Sequence, residues 1–270
     1  MALKLKLHTQ PDVPLEADCI CPDKLQSLSK NEIELLTVFH GNRQVSLGDF
    51  FSCDGEFDGE IIVDGDLTNI KHVASAMSFG KITIKGNAGV HTGAGISGGE
   101  IIIEGNAADW LGAEMLGGRI TVKGNAGHMV GSGYRGSTIG MQGGEIIVHG
   151  NVKNEAGHVM RRGLIVIGED SGDFTGVNML AGTIIVLGEM GIRTGAGMKR
   201  GSIICQNKAD ILPTFTYSCN YQPTFLKHYF SYLKKIGFAI NDSLIKGTFE
   251  RWCGDSVELN RGEILLYTGK

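Results

Sequence analysis

A methionine or isoleucine, followed three residues later by glycine and then by a short β-branched run, occurs seven times in the chain, as in Met77-Ser78-Phe79-Gly80-Lys81-Ile82-Thr83-Ile84-Lys85-Gly86. The anchors are Met77, Ile96, Met115, Met141, Met160, Met179 and Met198, so successive steps are 19, 19, 26, 19, 19 and 19 residues. The paired glycines, from Gly80 to Gly201, keep the same steps. The long step is 19 plus an insertion of seven, placed near 131–140. A fixed period near 20 residues marks a solenoid, whose units cannot bury an apolar face alone and must stack on a neighbour.

The run after each glycine decides the kind of solenoid. Ile82-Thr83-Ile84, Ile101-Ile102-Ile103, Ile120-Thr121-Val122, Ile146-Ile147-Val148, Ile165-Val166-Ile167, Ile184-Ile185-Val186 and Ile203-Ile204-Cys205 are short and mostly β-branched, as strands are. Strands one period apart that run the same way predict an all-β chain built as a right-handed parallel β-helix of about 19 residues per coil. An irregular first coil at Gly59–Gly65 brings the number to about eight, a rod about 34 Å long at the ~4.8 Å strand spacing. The predicted organisation is an N-terminal cap over 1–58, the solenoid over 59–207 and a C-terminal extension over 208–270.

Outward positions are ordered as well. One column reads Glu60, Lys81, Glu100, Arg119, Glu145 and another Asp64, Lys85, Glu104, Lys123, His149, so charge sign alternates from coil to coil. Opposite charges facing each other on neighbouring strands support register, and a slip by one coil sets like against like. Past the fifth coil the same columns turn to Leu164, Thr183, Ser202 and Gly168, Leu187, Gln206, beside Val166, Ile185 and Ile204. That apolar flank requires a cover, from the protein's own tail or from another subunit.

The tail has the composition for such a cover, since residues 208–270 hold 11 of the 19 aromatics. Thr224–Ile236, ended by Gly237, reads as a helix with Phe225, Tyr229, Tyr232, Leu233 and Ile236 on one side. Trp252 and a strand over Ile264–Tyr267 continue the packing. At the other end, Leu3, Leu5 and Leu7 alternate with lysines as a half-buried strand, and Ile33–Phe39 suggests a second before the His40-Gly41-Asn42 turn.

Chemistry is harder to find. Net charge of −4 carries no basic footprint for nucleic acid. The absence of a signal segment or a long apolar run leads to the expectation of a cytoplasmic protein. Cysteines 19, 21, 53, 205, 219 and 253 show no framework spacing and are expected as reduced thiols, with only Cys19-Ile20-Cys21 close enough to suggest a cluster. His91, His128 and His158 sit four, three and seven residues after Asn87, Asn125 and Asn151, so they do not share a column and no stacked metal site is expected.

Gly93-Ala94-Gly95, Gly131-Ser132-Gly133 and Gly195-Ala196-Gly197 belong to corners, since none joins a strand to a helix as nucleotide loops do. The Asn after Gly86, Gly105, Gly124 and Gly150 suits a stacked turn, in left-handed backbone with its amide in a ladder. Catalytic, cofactor-binding and metal-binding residues are therefore all expected to be none. The steady 19-residue coil also departs from the 18-residue hexapeptide acyltransferases. The alternating outer charges depart from the acidic faces of secreted polysaccharide lyases.

The repeated Met-x-x-Gly-x-Ile-x-Ile-x-Gly unit, from Met77 to Asn207, resembles the C subunit of tungsten- or molybdenum-dependent formylmethanofuran dehydrogenase over nearly the whole chain. It is also similar to the β-helix domain closing the large subunit of glutamate synthase. Departures are Ile96 in place of Met, Asn207 in place of the closing Gly, and a Gly163–Gly168 unit one residue short. The resemblance implies a scaffold subunit of an archaeal complex that reduces carbon dioxide and attaches it to methanofuran as a formyl group. A tungsten- or molybdenum-pterin, iron–sulfur clusters and a dinuclear metal site are then expected in partner subunits: a pterin-metal subunit, an amidohydrolase-like subunit and iron–sulfur subunits. Neither nucleic acid nor membrane is an expected partner.

Two rival readings remain. One is the C subunit of a bacterial formyltransferase/hydrolase complex, and the other an independent enzyme with a site at the insertion, around Tyr134, Arg135 and His128.

Overall fold

The computed structural model describes residues 2–207 and 209–269. The N-terminal segment holds β1 (Leu3–Leu7), β2 (Leu15–Glu16), α1 (Pro22–Leu25), α2 (Lys30–Glu34), β3 (Thr37–His40), β4 (Arg43–Ser46) and β5 (Phe51–Asp54). Leu3 and Leu5 of β1 are buried and Lys4 and Lys6 exposed, as the alternation predicts. The strand expected over Ile33–Phe39 is a correction: its first part is α2, and only Thr37–His40 is extended. A capping box sets that helix start, with Ser29 Oγ facing the Glu32 N–H and Glu32 Oε2 accepting from the Ser29 N–H.

The repeats follow as β6 (Glu60–Asp64), the two-residue β7 (Ile70–Lys71), β8 (Lys81–Ile84), β9 (Glu100–Ile103), β10 (Arg119–Val122), β11 (Glu145–Val148), β12 (Leu164–Ile167), β13 (Thr183–Val186) and β14 (Arg200–Cys205). The tail adds β15 (Thr216–Tyr221), α3 (Leu226–Lys235), α4 (Asp242–Lys246), β16 (Phe249–Gly254) and β17 (Arg261–Tyr267). The chain is mostly β, and one mainly parallel 13-stranded sheet runs β15-β16-β17-β14-β13-β12-β11-β10-β9-β8-β6-β1-β5. β1 continues it in parallel beyond β6, and β5 closes that edge antiparallel to β1. A second sheet, β4-β3-β2-β7, belongs to the N-terminal segment and the first repeat.

Equivalent residues of successive repeats pair throughout, for example Ile101 with Ile120, Ile120 with Ile146 and Ile146 with Ile165. A second parallel line of bridges runs Ala88, Ala107, Ala126, Val152, Ser171, Met190. All seven anchors are fully buried. Their spacing to glycine has a steric cause. A Cβ at Gly144 would stand 2.6 Å from Met115 Cε, one at Gly163 2.7 Å from Met141 Cε and one at Gly182 2.9 Å from Met160 Cε. Each methionine thus lies over the glycine of the next repeat, where the backbone also takes a positive φ, +81° at Gly144.

The 163–168 unit is not short. Val148 pairs with Ile167 and the Gly168 N–H donates to Val148 O, so Gly168 occupies the outward column of His149. Glu169 takes the place of the closing glycine, its N–H donating to Gly150 O.

The tail covers the apolar flank. Ile147, Leu164, Val166, Ile185 and Ile204 form one buried cluster with Leu226, Phe230 and Leu233 of α3, together with Phe238, Ile240, Leu244, Phe249 and Leu265. The helix is shorter than expected and its buried stripe is Leu226, Phe230, Leu233. Tyr229, Tyr232 and Ile236 pack only at its margin, and Phe225 is exposed. The strand expected over Ile264–Tyr267 is β17, which pairs in parallel with β14.

Candidate functional site

Side-chain polarity along the repeats is largely spent on holding the repeats together. The carboxamide oxygen of Asn87 accepts from the Asn106 N–H at 2.9 Å, Asn106 from Asn125 at 2.9 Å, Asn125 from Asn151 at 2.8 Å and Asn151 from Asp170 at 3.0 Å. This is the expected ladder, with one correction: these asparagines are not among the residues with positive φ. Lys81 meets Glu60 at 3.0 Å, and Arg119 lies between Glu100 at 3.8 Å and Glu145 at 3.1 Å, as the alternating column predicts.

Seven of the left-handed residues form a column of their own. His72, His91, Trp110, Met129, Glu155, Phe174 and Arg193 all have φ between +59° and +66°. None is glycine, and such a conformation costs about 1–3 kcal/mol per residue. Backbone bonds from one repeat to the next hold the column: His72 N–H donates to Val90 O, His91 N–H to Asp109 O and Trp110 N–H to His128 O. With neighbours one strand spacing apart, flat rings stack. The His72 and His91 rings lie 4.7 Å apart at 10° between planes, and the His91 and Trp110 rings 6.2 Å apart. Farther along, the Arg193 guanidinium sits 5.2 Å above the Phe174 ring.

The insertion joins this stack. It leaves and returns at one place, with Met141 N–H donating to Gly131 O, Gly140 N–H to Val159 O and Ser132 Oγ to Glu155 O. From its tip Tyr134 reaches back, its ring stacked on Trp110 at 5.0 Å and its hydroxyl 3.0 Å from His91 Nδ1. Glu114 Oε1 accepts from the Tyr134 N–H at 3.1 Å. Burial holds the His91 imidazole down to about 4, reinforced by His72 and Lys71. Burial also raises the Tyr134 phenol, with Glu114 adding to it. Both groups are neutral at pH 7.

Of the residues singled out in the sequence, Tyr134 therefore meets His91 and Trp110 rather than His128 or Arg135. His128 is half-buried, its N–H bound to Asp109 Oδ1, and Arg135 is exposed. His158 stands in a third column, where its N–H closes a turn on Glu155 O. Sequence reasoning missed His72 and Trp110, although both lie 19 residues from His91. Two parallel imidazole faces do not converge on an ion, and among the described residues no group of three or more His, Cys, Asp or Glu side chains is placed to hold a metal. All six cysteines are free; burial pushes the thiols of Cys19 to about 11 and Cys21 to about 12, so neither is a nucleophile at neutral pH.

A cleft of about 510 Å³ lies where α3 meets the glycine corners, lined by Glu145, Arg162, Thr183, His228, Tyr229 and Tyr232. The Tyr232 hydroxyl donates to Glu145 Oε2 at 2.5 Å and accepts from Arg119 Nη2 at 2.7 Å. Burial, with Glu145 next, raises that phenol to about 12. The network clamps the helix on the sheet. No helix among the described residues is long and apolar enough to cross a membrane.

The arrangement has known counterparts. The GXGXG motif family matches residues 68–223. The C subunit of the tungsten-containing formylmethanofuran dehydrogenase 2 of Methanothermobacter thermautotrophicus is 44% identical over 90 residues, 32% of this chain and 33% of that protein. The C subunit of the molybdenum-containing formylmethanofuran dehydrogenase 1 of Methanosarcina barkeri is 39% identical over 85 residues, 30% of this chain and 28% of that protein. The chain spans about a third of the length of the curated relatives it matches. Among solved structures, a chain of the formyltransferase/hydrolase complex from Methylorubrum extorquens, in complex with methylofuran, superposes with a TM-score of 0.90 at 30% identity, covering 98% of this chain and 99% of that one. With more than half of its residues inside the motif region and its fold matched over nearly all its length, the chain belongs to the GXGXG motif family and is a relative of the C subunit of formylmethanofuran dehydrogenase.

Proposed function

We propose that this chain is a non-catalytic scaffold subunit of a formylmethanofuran dehydrogenase complex, the cytoplasmic archaeal assembly that reduces carbon dioxide and fixes it on methanofuran as a formyl group. Its architecture is read as a right-handed parallel β-helix of about eight coils, with 1–58 as a cap and 208–270 as a flanking extension. The observation that carries the reading is the spending of polar side chains on repeat-to-repeat ladders, in a chain whose relatives are the C subunits of that dehydrogenase. A rigid stack with few convergent reactive groups suits attachment better than turnover. The pterin-bound tungsten or molybdenum, the iron–sulfur clusters and the dinuclear metal site then reside in partner subunits, and no residue of this chain is assigned a catalytic or metal-binding role.

The likeness over nearly the full chain to a component of the Methylorubrum extorquens complex supports a second reading, in which the assembly transfers and hydrolyses formyl groups without redox chemistry. Purification of the native assembly, with subunits identified by mass and metals by elemental analysis, separates the two. Iron with tungsten or molybdenum supports the dehydrogenase, and their absence supports the transferase. An isolated chain that binds one equivalent of metal and loses activity on His128→Ala overturns both.

A further inference from the structure

The sheet has an open half. Among the described residues no element lies over its outward side from β5 to β9; α3 touches β10 at the margin, through Tyr232 on Arg119, and lies over the outward residues from β11 onward. Strand register places the outward side chains of the open half in six rows: Ser52 and Asp54 on β5, Lys4 and Lys6 on β1, Glu60, Ile62 and Asp64 on β6, Lys81, Thr83 and Lys85 from β8, Glu100, Ile102 and Glu104 from β9, and Arg119, Thr121 and Lys123 from β10. Row by row the charge reads negative, positive, negative, positive, negative, positive. Lys4, Lys6, Asp64, Lys85, Glu104 and Lys123 are exposed. Lys4, Lys6, Ile62, Asp64 and Lys85 line one shallow recess of about 260 Å³.

Alternation serves the ladder within the chain, and an even number of alternating rows has a further property. Reversed in order, the series is its own complement. A two-fold axis that lies in the plane of contact, parallel to the strands and between β6 and β8, sets each row of one copy against a row of opposite sign in the other. Asp64 then faces Lys85 of the second copy, Glu60 faces Lys81, and Lys6 faces Glu104. Each contact occurs twice, as an isologous interface requires.

The relief agrees with the charge. α3 stands about one layer, ~10 Å, above the sheet, the same height at which a second sheet packs face to face. The axis brings the β5 row of the second copy over β10, so its edge falls beside the rim that Ile236 and Phe238 form next to Lys123 and His149. The open area ends at β10, because Glu145, the next member of the alternating column on β11, is already held by Tyr232 of α3.

We infer that this face pairs with a second copy of the chain, sheet on sheet about a two-fold axis between β6 and β8. Six strands at ~4.8 Å by five residues at ~3.3 Å give a patch of about 29 by 16 Å. That is small for a specific interface, so the pairing is weak, with a dissociation constant on the order of 10–100 µM, and sensitive to salt. The inference does not rest on the proposed enzyme complex.

Sedimentation of the full-length chain at low and high salt tests it, together with Lys6→Glu and Glu104→Lys and their equimolar mixture. Lys6 and Glu104 lie three strands apart in one chain, ~14 Å, and face each other only across the two-fold. The expected result is a monomer–dimer equilibrium that weakens about tenfold from 50 to 500 mM salt. Each reversal alone shifts the chain to monomer, and mixing the two restores a dimer that native mass spectrometry with one isotope-labelled chain identifies as mixed. Should a reversal fail to fold by circular dichroism, Lys6→Gln and Glu104→Gln weaken the dimer in the same direction by a smaller factor. A wild-type monomer at about 200 µM and low salt, above the expected dissociation constant, overturns the inference. So does a dimer indifferent to these changes, reversals that stay monomeric when mixed, or a different subunit seated on this face in the purified assembly.

Discussion

The two halves of the large sheet share one interior and have opposite exteriors. Inward, β8 through β14 repeat the same pattern, with Ile82, Ile101, Ile120, Ile146, Ile165, Ile184 and Ile203 all fully buried. Outward, the middle residue is Thr83, Ile102 and Thr121, half-buried, on β8 to β10 and Ile147, Val166, Ile185 and Ile204, buried, on β11 to β14. The stack itself is therefore indifferent to what its outside carries. The outward residues decide only whether a strand is faced with water or with α3, and charge on one half and aliphatic side chains on the other separate a free surface from a docking platform for the chain's own tail.

The comparison breaks first at a matched pair of isoleucines. Ile102 and Ile185 hold the same outward position on β9 and β13. Ile185→Ala removes a side chain packed beneath α3 and is expected to cost about 2–5 kcal/mol, whereas Ile102→Ala costs about 1 kcal/mol or less. Urea denaturation of the two variants checks this. Equal costs mean that α3 contributes nothing to the burial of its half.

The shared interior gives the next largest effect. Gly144→Ala places a methyl group against Met115 Cε and Gly118 O, at a φ of +81°. The expected loss is about 2–4 kcal/mol, from overpacking together with backbone strain. Met115→Leu in the same chain is expected to recover part of it, since the clash is with the far end of that side chain. No recovery indicates that the backbone contact dominates.

At the boundary between the halves, Tyr232→Phe removes the hydroxyl shared by Arg119 and Glu145. Arg119 and Glu145 still face each other at 3.1 Å, so the expected cost is about 1 kcal/mol, read from thermal unfolding. The clamp also accounts for a sequence misreading. Tyr229 and Tyr232 look like part of an apolar stripe, yet each places its hydroxyl on a polar partner, Thr183 and Glu145, and the buried stripe passes through Leu226, Phe230 and Leu233 instead. Helical periodicity gives the face of a helix; an amphipathic ring at its edge shifts the apparent centre by one residue.

What was legible in the chain was whatever repeats with it. Strand positions, the buried methionine column, the asparagine ladder and the charge alternation all recur at 19 residues, and register follows once the period is known. The column of left-handed residues was hidden for the opposite reason. Glycine is the usual mark of positive φ, but His72, His91, Trp110 and Phe174 adopt it under repeat-to-repeat hydrogen bonds that no single repeat displays. The insertion was visible as a broken period. Its destination was not, because Tyr134 contacts residues one and two repeats back, Trp110 and His91. Ser29 and Glu32 did carry a readable helix start, overlooked beside the β-branched residues that follow.

At neutral pH the smallest effect expected is at this stack, and it grows only as pH falls. His91 titrates at about 4 in the folded chain against 6.5 for a free imidazole, through burial first and then His72 and Lys71, with Glu16 and Asp109 acting in the opposite sense. The unfolded chain therefore binds more protons between these values. The contribution of the neutral ring is complete above about pH 6.5 and is lost as pH falls toward about 4. Proton resonances of the His91 ring are expected to titrate well below 6.5, and the Trp110 fluorescence of a Trp252→Phe chain to change over the same range as Tyr134 comes away. His91→Phe preserves the stack and removes the transition. A His91 that titrates near 6.5, with Trp110 unaffected, means that the insertion does not pack on the column in solution and that the left-handed residues serve the backbone alone.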